Sequence, residues 1–134
     1  MNYWLVKQEP STYSFDDFQR EKKTDWTGVR NYMARNFLRD MKKGDSVLFY
    51  HSGDEKAVVG FATVSKAAFA DPTADDDAWV AVELKAGKKF KKPVPLAEIK
   101  KDPKLANMLL VKNSRISVMS VTEDEYDQVV AMGN

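Results

Sequence analysis

Hydrophobic and polar positions alternate along this chain in short bursts, and their period keeps switching between that of a strand and that of a helix. Tyr3 to Lys7 is aromatic and branched and predicts a strand, stopped by Pro10. Ser14-Phe15-Asp16-Asp17 has the form of a capping box with Asp in place of Glu, and predicts a short helix after it. Lys22, Lys23 and Thr24 read as loop. A helix is predicted from Asn31. Met33, Phe37 and Met41 recur at i, i+4 and i+8 as one apolar stripe, and Arg35 and Arg39 share another face. Gly44-Asp45 ends that helix and turns the chain.

Val47 to His51 and Ala57 to Val64 alternate as strands, and with the turn at Ser52-Gly53-Asp54 they predict a hairpin. Trp79 to Lys85 is another strand, with Val80, Val82 and Leu84 on one side; Phe90 to Val94 is a further extended piece. Leu96 to Lys101 predicts a short helix ended by Pro103. Ile116 to Val121 is a last strand. Thr122-Glu123-Asp124-Glu125 is a capping box for a C-terminal helix that stops at Gly133. Strands and helices are interspersed and several connections are hairpin-like. This predicts an α+β fold with a strongly curved or barrel-like sheet of about five to six strands and short peripheral helices. Neither the strict βαβ alternation of a dinucleotide-binding sheet nor a Gly-rich phosphate loop is present.

Composition narrows the chemistry. A hydrophobic share of 43% and a charged share of 31% are those of a globular domain, and residues 1–134 are expected to form one. No apolar run spans a bilayer and no secretory signal is evident, so no membrane partner and a cytoplasmic location are expected. With no cysteine and a single histidine, His51, disulfides, thiolate catalysis and Cys-ligated zinc are excluded, and neither a metal nor a cofactor is expected. The net charge of +1 does not announce a nucleic-acid binder, but base gathers locally at Arg35, Arg39 and Lys42-Lys43, and along Lys85 to Lys92.

The stretch from Trp26 to Asn36 concentrates aromatic rings, amides and guanidinium groups. Trp26 reads as an aromatic on a polar loop, either a lid over the core or a platform for a flat, hydrogen-bonding ligand such as a nucleobase. Trp4, Trp79, Phe49 and Phe61 fall in strand patterns and are expected in the core. Asn31 fits an N-cap, a position that also favours a phosphate or a carbonyl edge. Arg35 and Arg39 suit a solvated face as well as a phosphate backbone. His51 is a hydrogen-bonding residue at a strand end with its tip near a turn. Arg115 either holds a carboxylate such as Glu9 or serves a ligand.

Several of these stretches occur together in one known family. Tyr3-Trp4-Leu5-Val6-Lys7-Gln8-Glu9-Pro10 resembles the opening of the EVE domain, with Gln8 where Ser is usual. Residues Trp26 to Asn36 are similar to its signature, with Thr27 and Met33 as departures. Phe49-Tyr50-His51-Ser52, Gly60-Phe61-Ala62, Asp71-Pro72-Thr73 and Ser114-Arg115-Ile116-Ser117-Val118 resemble its later motifs, and the likeness runs from end to end. It implies a PUA-like fold, a partly open β-barrel related to the YTH and ASCH domains. It also implies a monomeric, non-enzymatic module that binds DNA or RNA and reads a modified base, such as a modified cytosine, in an aromatic-lined pocket. Carried onto this chain, the pocket would comprise Trp26 as the stacking ring, Asn31, Gln8 and His51 at the base edge, and Gly28, Val29, Tyr50 and Ser52 around them. Lys7, Arg30, Arg35 and Arg115 would steady phosphates or the pocket wall. The alternative that the same likeness raises is a small ASCH-like hydrolase of a modified nucleobase or nucleoside, using Lys7 and Glu9 with His51 or Thr27.

Overall fold

The aromatic run at the N-terminus becomes β1 (Tyr3–Gln8), a strand deep inside the molecule. Trp4, Leu5 and Val6 are all buried although they alternate between faces, because both faces are covered. A computed structural model describes the whole chain, residues 1–134. β1 pairs in parallel with β3 (Ser46–His51) and antiparallel with β6 (Val118–Val121). β3 pairs with β4 (Ala57–Ala70), β4 with β5 (Val80–Pro95), and β5 with β2 (Lys23–Trp26), giving a six-stranded sheet of order β2-β5-β4-β3-β1-β6. The register between β4 and β5 shifts at four places. Each shift adds local twist, so the long hairpin coils the sheet toward a barrel. β2 and β6 remain as free edges, and the barrel stays partly open.

Helices fill in around it: α1 (Phe15–Glu21), α2 (Tyr32–Asp40), α3 (Leu96–Lys101), α4 (Leu109–Lys112) and α5 (Glu123–Met132), with a 3-10 turn at Pro103–Leu105. Both expected capping boxes form, Ser14 with Asp17 and Thr122 with Glu125. A core cluster of 32 buried residues joins every strand. No helix is long and apolar enough to cross a membrane.

The structure departs from the sequence pattern at particular places. Residues 23–26 form a strand rather than a loop, as β2 lies at a sheet edge, where charged Lys23 and Asp25 face water and no apolar alternation is needed. The two pieces expected within residues 79–94 are one strand, β5, whose lysines point to solvent and whose Gly87 lets the backbone pass close to Phe61. Short α4 has no amphipathic period to announce it. The buried stripe of α2 is Ala34, Leu38 and Met41, with Phe37 at its side, while Met33 is 50% exposed. Trp79 lies just before β5 and is only half-buried, and Phe61 is half-buried against Phe90, with ring centroids 4.6 Å apart.

Gly60 in β4 sits under the ring of Phe15, where a Cβ would come within 2.3 Å of the ring edge. Gly60→Ala is therefore expected to destabilise the protein by about 1–3 kcal/mol through overpacking. Urea unfolding at equal m-value would show it as a lower midpoint; an unchanged midpoint would mean that Phe15 has room to move.

Candidate nucleic-acid interface

β2 delivers Trp26 to the molecule's interior edge. Trp26 is only 5% exposed, so it is not the ring on an open loop that its polar neighbours indicate. Its ring meets Phe49 and Tyr13 edge-on, at interplanar angles of 86° and 72°, and no ring of the protein lies parallel on the indole. A cavity of about 180 Å³ opens beside it, lined by Gln8, Tyr13, Thr24, Asp25, Trp26 and Thr27. Drug-sized ligands take pockets of about 300–1,000 Å³, so this one has the scale of a single small ring system. Tyr13 and Trp26 are its aromatic residues and Gln8, Thr24, Asp25 and Thr27 its polar ones; along β2 Thr24 shares the inward face of Trp26, while the Asp25 side chain leaves on the other. The Tyr13 hydroxyl donates to Glu21 at 2.6 Å. Burial, then that bond, pushes its pKa up to about 12, so it remains a donor at neutral pH.

The segment after Trp26 is held by one buried carboxylate. Asp71 accepts from the Gly28 backbone N–H at 2.8 Å, from Arg30 at 3.0 Å, and from the Thr73 backbone N–H and hydroxyl at 2.8 and 2.7 Å. Burial alone would raise its pKa. The hydrogen bonds from Thr73 and Gly28, with the Arg30 guanidinium, outweigh it and hold Asp71 well below the usual carboxylate range. Gly28 has φ +82°, a backbone conformation that favours glycine, and it allows the N–H to turn toward Asp71. Val29 is buried in the core. Arg30 also bonds the Val29 carbonyl and Thr73, so its donors serve the fold. Asn31 caps α2, its side-chain oxygen accepting from Ala34 N–H at 3.0 Å. Arg35 donates to the Ala78 carbonyl and lies over the rings of Tyr32 and Trp79, at 4.9 and 5.9 Å from their centroids. That cation–π stack is what becomes of Trp79.

His51 is likewise committed internally. Its Nε2 accepts from Phe15 N–H at 3.0 Å and its Nδ1 meets Glu55 at 2.8 Å, which places the ring proton on Nδ1. It ties the start of α1 to the β3–β4 turn and lines no cavity with Trp26. Lys7, Tyr50 and Ser52 lie elsewhere again. In the β1–β3 register Lys7 is opposite Tyr50 and Gln8 is opposite His51, so successive side chains leave the sheet on opposite faces. Lys7, Tyr50 and Ser52 border a second cavity of about 390 Å³, with Lys56 and Lys100. Arg115 is exposed and forms no ion pair with Glu9; a carboxylate bound to it is not what the fold provides.

Of the eight residues expected around one base, Gln8 and Trp26 line the cavity beside the indole. Asn31, His51, Gly28 and Val29 support the surrounding backbone, and Tyr50 and Ser52 sit across the sheet. Tyr13, Thr24 and Asp25, which the sequence pattern did not single out, line the same cavity, as does Thr27, noted there only for the hydrolase alternative. Recognising residues 23–26 as an edge strand would have pointed to Thr24 and Asp25, while no local pattern marks Tyr13. Nowhere do three or more His, Asp or Glu side chains gather as a metal site would need.

Comparison with known proteins places this geometry in context. The sequence model of the EVE domain matches residues 2–132. Thymocyte nuclear protein 1 of Homo sapiens is 32% identical over 165 aligned positions, covering 98% of this chain and 73% of that protein. A crystal structure of a protein from Agrobacterium tumefaciens is 44% identical, covers 100% of this chain and 94% of its own, and superposes with a TM-score of 0.96. The crystal structure of the human thymocyte protein in complex with 5-methylcytosine-containing DNA superposes with a TM-score of 0.92 at 31% identity, covering 100% of this chain and 98% of its own. An ASCH protein from Zymomonas mobilis superposes at 0.64 with 11% identity, a likeness of fold alone. The α+β, partly open sheet is thus the PUA-like arrangement that EVE and ASCH structures share.

Proposed function

This chain belongs to the EVE-domain family, and from that membership we propose that it is a non-enzymatic nucleic-acid reader that takes one modified base into the cavity beside Trp26. The carrying observation is that cavity: ring-sized, aromatic-walled and rimmed by edge-reading groups. A homologue whose structure holds 5-methylcytosine DNA supports the same reading. Residues 1–134 act as one monomeric domain, on DNA or RNA, in the compartment where that nucleic acid lies, the cytoplasm included.

Extruding a base from its stack costs a few kcal/mol. Stacking on one aromatic returns roughly 1–3 kcal/mol, so hydrogen bonds at the base edge must supply the rest. Thr24, on the same face of β2 as Trp26, offers a hydroxyl to the base edge. The Gln8 side-chain carbonyl is taken by the Glu9 N–H at 3.1 Å, which leaves its amide nitrogen to donate. Against the hydrolase alternative, Lys7 borders the other cavity and both ring nitrogens of His51 are bonded inside the fold.

The test is a pair of binding isotherms on oligonucleotides that differ only in a 5-methylcytosine. Gln8→Leu is expected to weaken binding of the methylated strand about tenfold, or 1.4 kcal/mol. A variant that remains folded and binds both strands as the parent does would remove Gln8, and the cavity with it, from base recognition.

A further inference from the structure

On the sheet face opposite Gln8, the second cavity is lined by three lysines, Lys7, Lys56 and Lys100, together with Tyr50. Lys7 lies over that ring at 5.6 Å from its centroid and gives one hydrogen bond to the Ser114 carbonyl at 3.0 Å, leaving two N–H donors. Its burial lowers its pKa, as expected of a cation short of counter-charge. Neither Lys56 nor Lys100 forms an ion pair. The Tyr50 hydroxyl has no partner in the chain, and burial raises its pKa, keeping it a donor.

Lys56 is also held in an unusual backbone conformation, with φ +47° in a residue other than glycine. Its carbonyl accepts from Leu96 N–H at 2.8 Å, which fixes it against the start of α3. Such strain persists only where the surroundings impose it, and it clusters at binding sites. Like charges that line one cavity without ion pairs repel one another until an anion arrives. The Glu9 carboxylate abuts Gly53 at the rim, and leaves the three lysines unpaired.

We propose that the Lys7–Tyr50–Lys56–Lys100 cavity binds the phosphate of a nucleotide. The volume of about 390 Å³ exceeds what a bare phosphate needs and admits a sugar beside it. Gln8 and Lys7 are consecutive residues that open into the two cavities, so the phosphate site and the base site flank the same end of β1. Both a free nucleotide and a phosphate neighbouring the extruded base supply the required chemistry; the second source rests on the base-reader reading above.

The experiment uses the whole chain and Lys56→Gln/Lys100→Gln, leaving Lys7 to pack on Tyr50. Amide spectra are recorded with deoxycytidine monophosphate, and oligonucleotide binding is measured across salt. The parent's Tyr50, Ser52 and Lys56 amides are expected to shift with the mononucleotide, and the double variant's are not. If the phosphate belongs to a bound strand, the variant also loses about tenfold in oligonucleotide affinity. Its salt slope then falls by about 1, while the ratio of methylated to unmethylated binding holds. If oligonucleotide affinity is unchanged but the mononucleotide shifts vanish, the site serves free nucleotide. Parent amides indifferent to both ligands, or a double variant that matches the parent throughout, would overturn the proposal. Loss of the methylation ratio in the Trp26 cavity alone would leave it standing.

Discussion

Trp26→Ala is expected to erase discrimination between a modified and an unmodified base, and at the same time to cost about 3–5 kcal/mol of stability. The second effect follows from burial: the indole is 5% exposed and packs edge-on against Phe49 and Tyr13, so deleting it leaves a void next to the central strands. One variant therefore confounds two roles. Trp26→Leu separates them, since leucine refills much of the space but offers no π face. It should remain folded, with a urea midpoint between those of parent and Trp26→Ala, and should still lose the base preference. A folded Trp26→Leu protein with the parent's ratio of methylated to unmethylated affinity would show that the indole only packs.

The second large effect concerns Asp71. Asp71→Ala strands the Gly28 and Thr73 N–H groups and the Arg30 guanidinium. About 3 kcal/mol of stability should go with it, the low end for a buried pair because the Arg30 side chain is 39% exposed. The same network sets an acid dependence. The folded carboxyl has a depressed pKa, so its contribution is fully present above the unfolded value of about 3.9 and is lost as pH falls from there toward the folded value. Unfolding midpoints measured from pH 5 down to pH 2 should decline more steeply for the parent than for Asp71→Asn. Parallel curves would mean that Asp71 gains nothing from its partners. Because Asp71 anchors the residues directly after Trp26 and Thr27, both variants should also weaken nucleic-acid binding without touching the ligand.

Elements with a clear period or a cap were legible in the sequence: β1, β3, the start of β4, and helices α1 and α5 with their capping boxes. β2 was not, because an edge strand exposes Lys23 and Asp25 as a loop would. At the site, residue types were informative and their directions were not. Asn31, Arg30, Arg35 and His51 all carry groups that suit a ligand, and each spends them on backbone, carboxylate or ring partners in the fold. A short motif does not say which hydrogen bonds are already made. Nor does it separate Lys7 from Gln8, neighbours whose destinations differ by the pleat of one strand.

That strand carries a kinetic consequence. β1 is synthesised first, yet its neighbours are β3 and, through pairs such as Val6 with Val118, the late β6. Until those residues emerge, Trp4 to Val6 have no mate on one side, and closing so distant a pairing is entropically slow. A nascent chain arrested before residue 118 should expose this apolar template and bind holding chaperones, while one released beyond it should not.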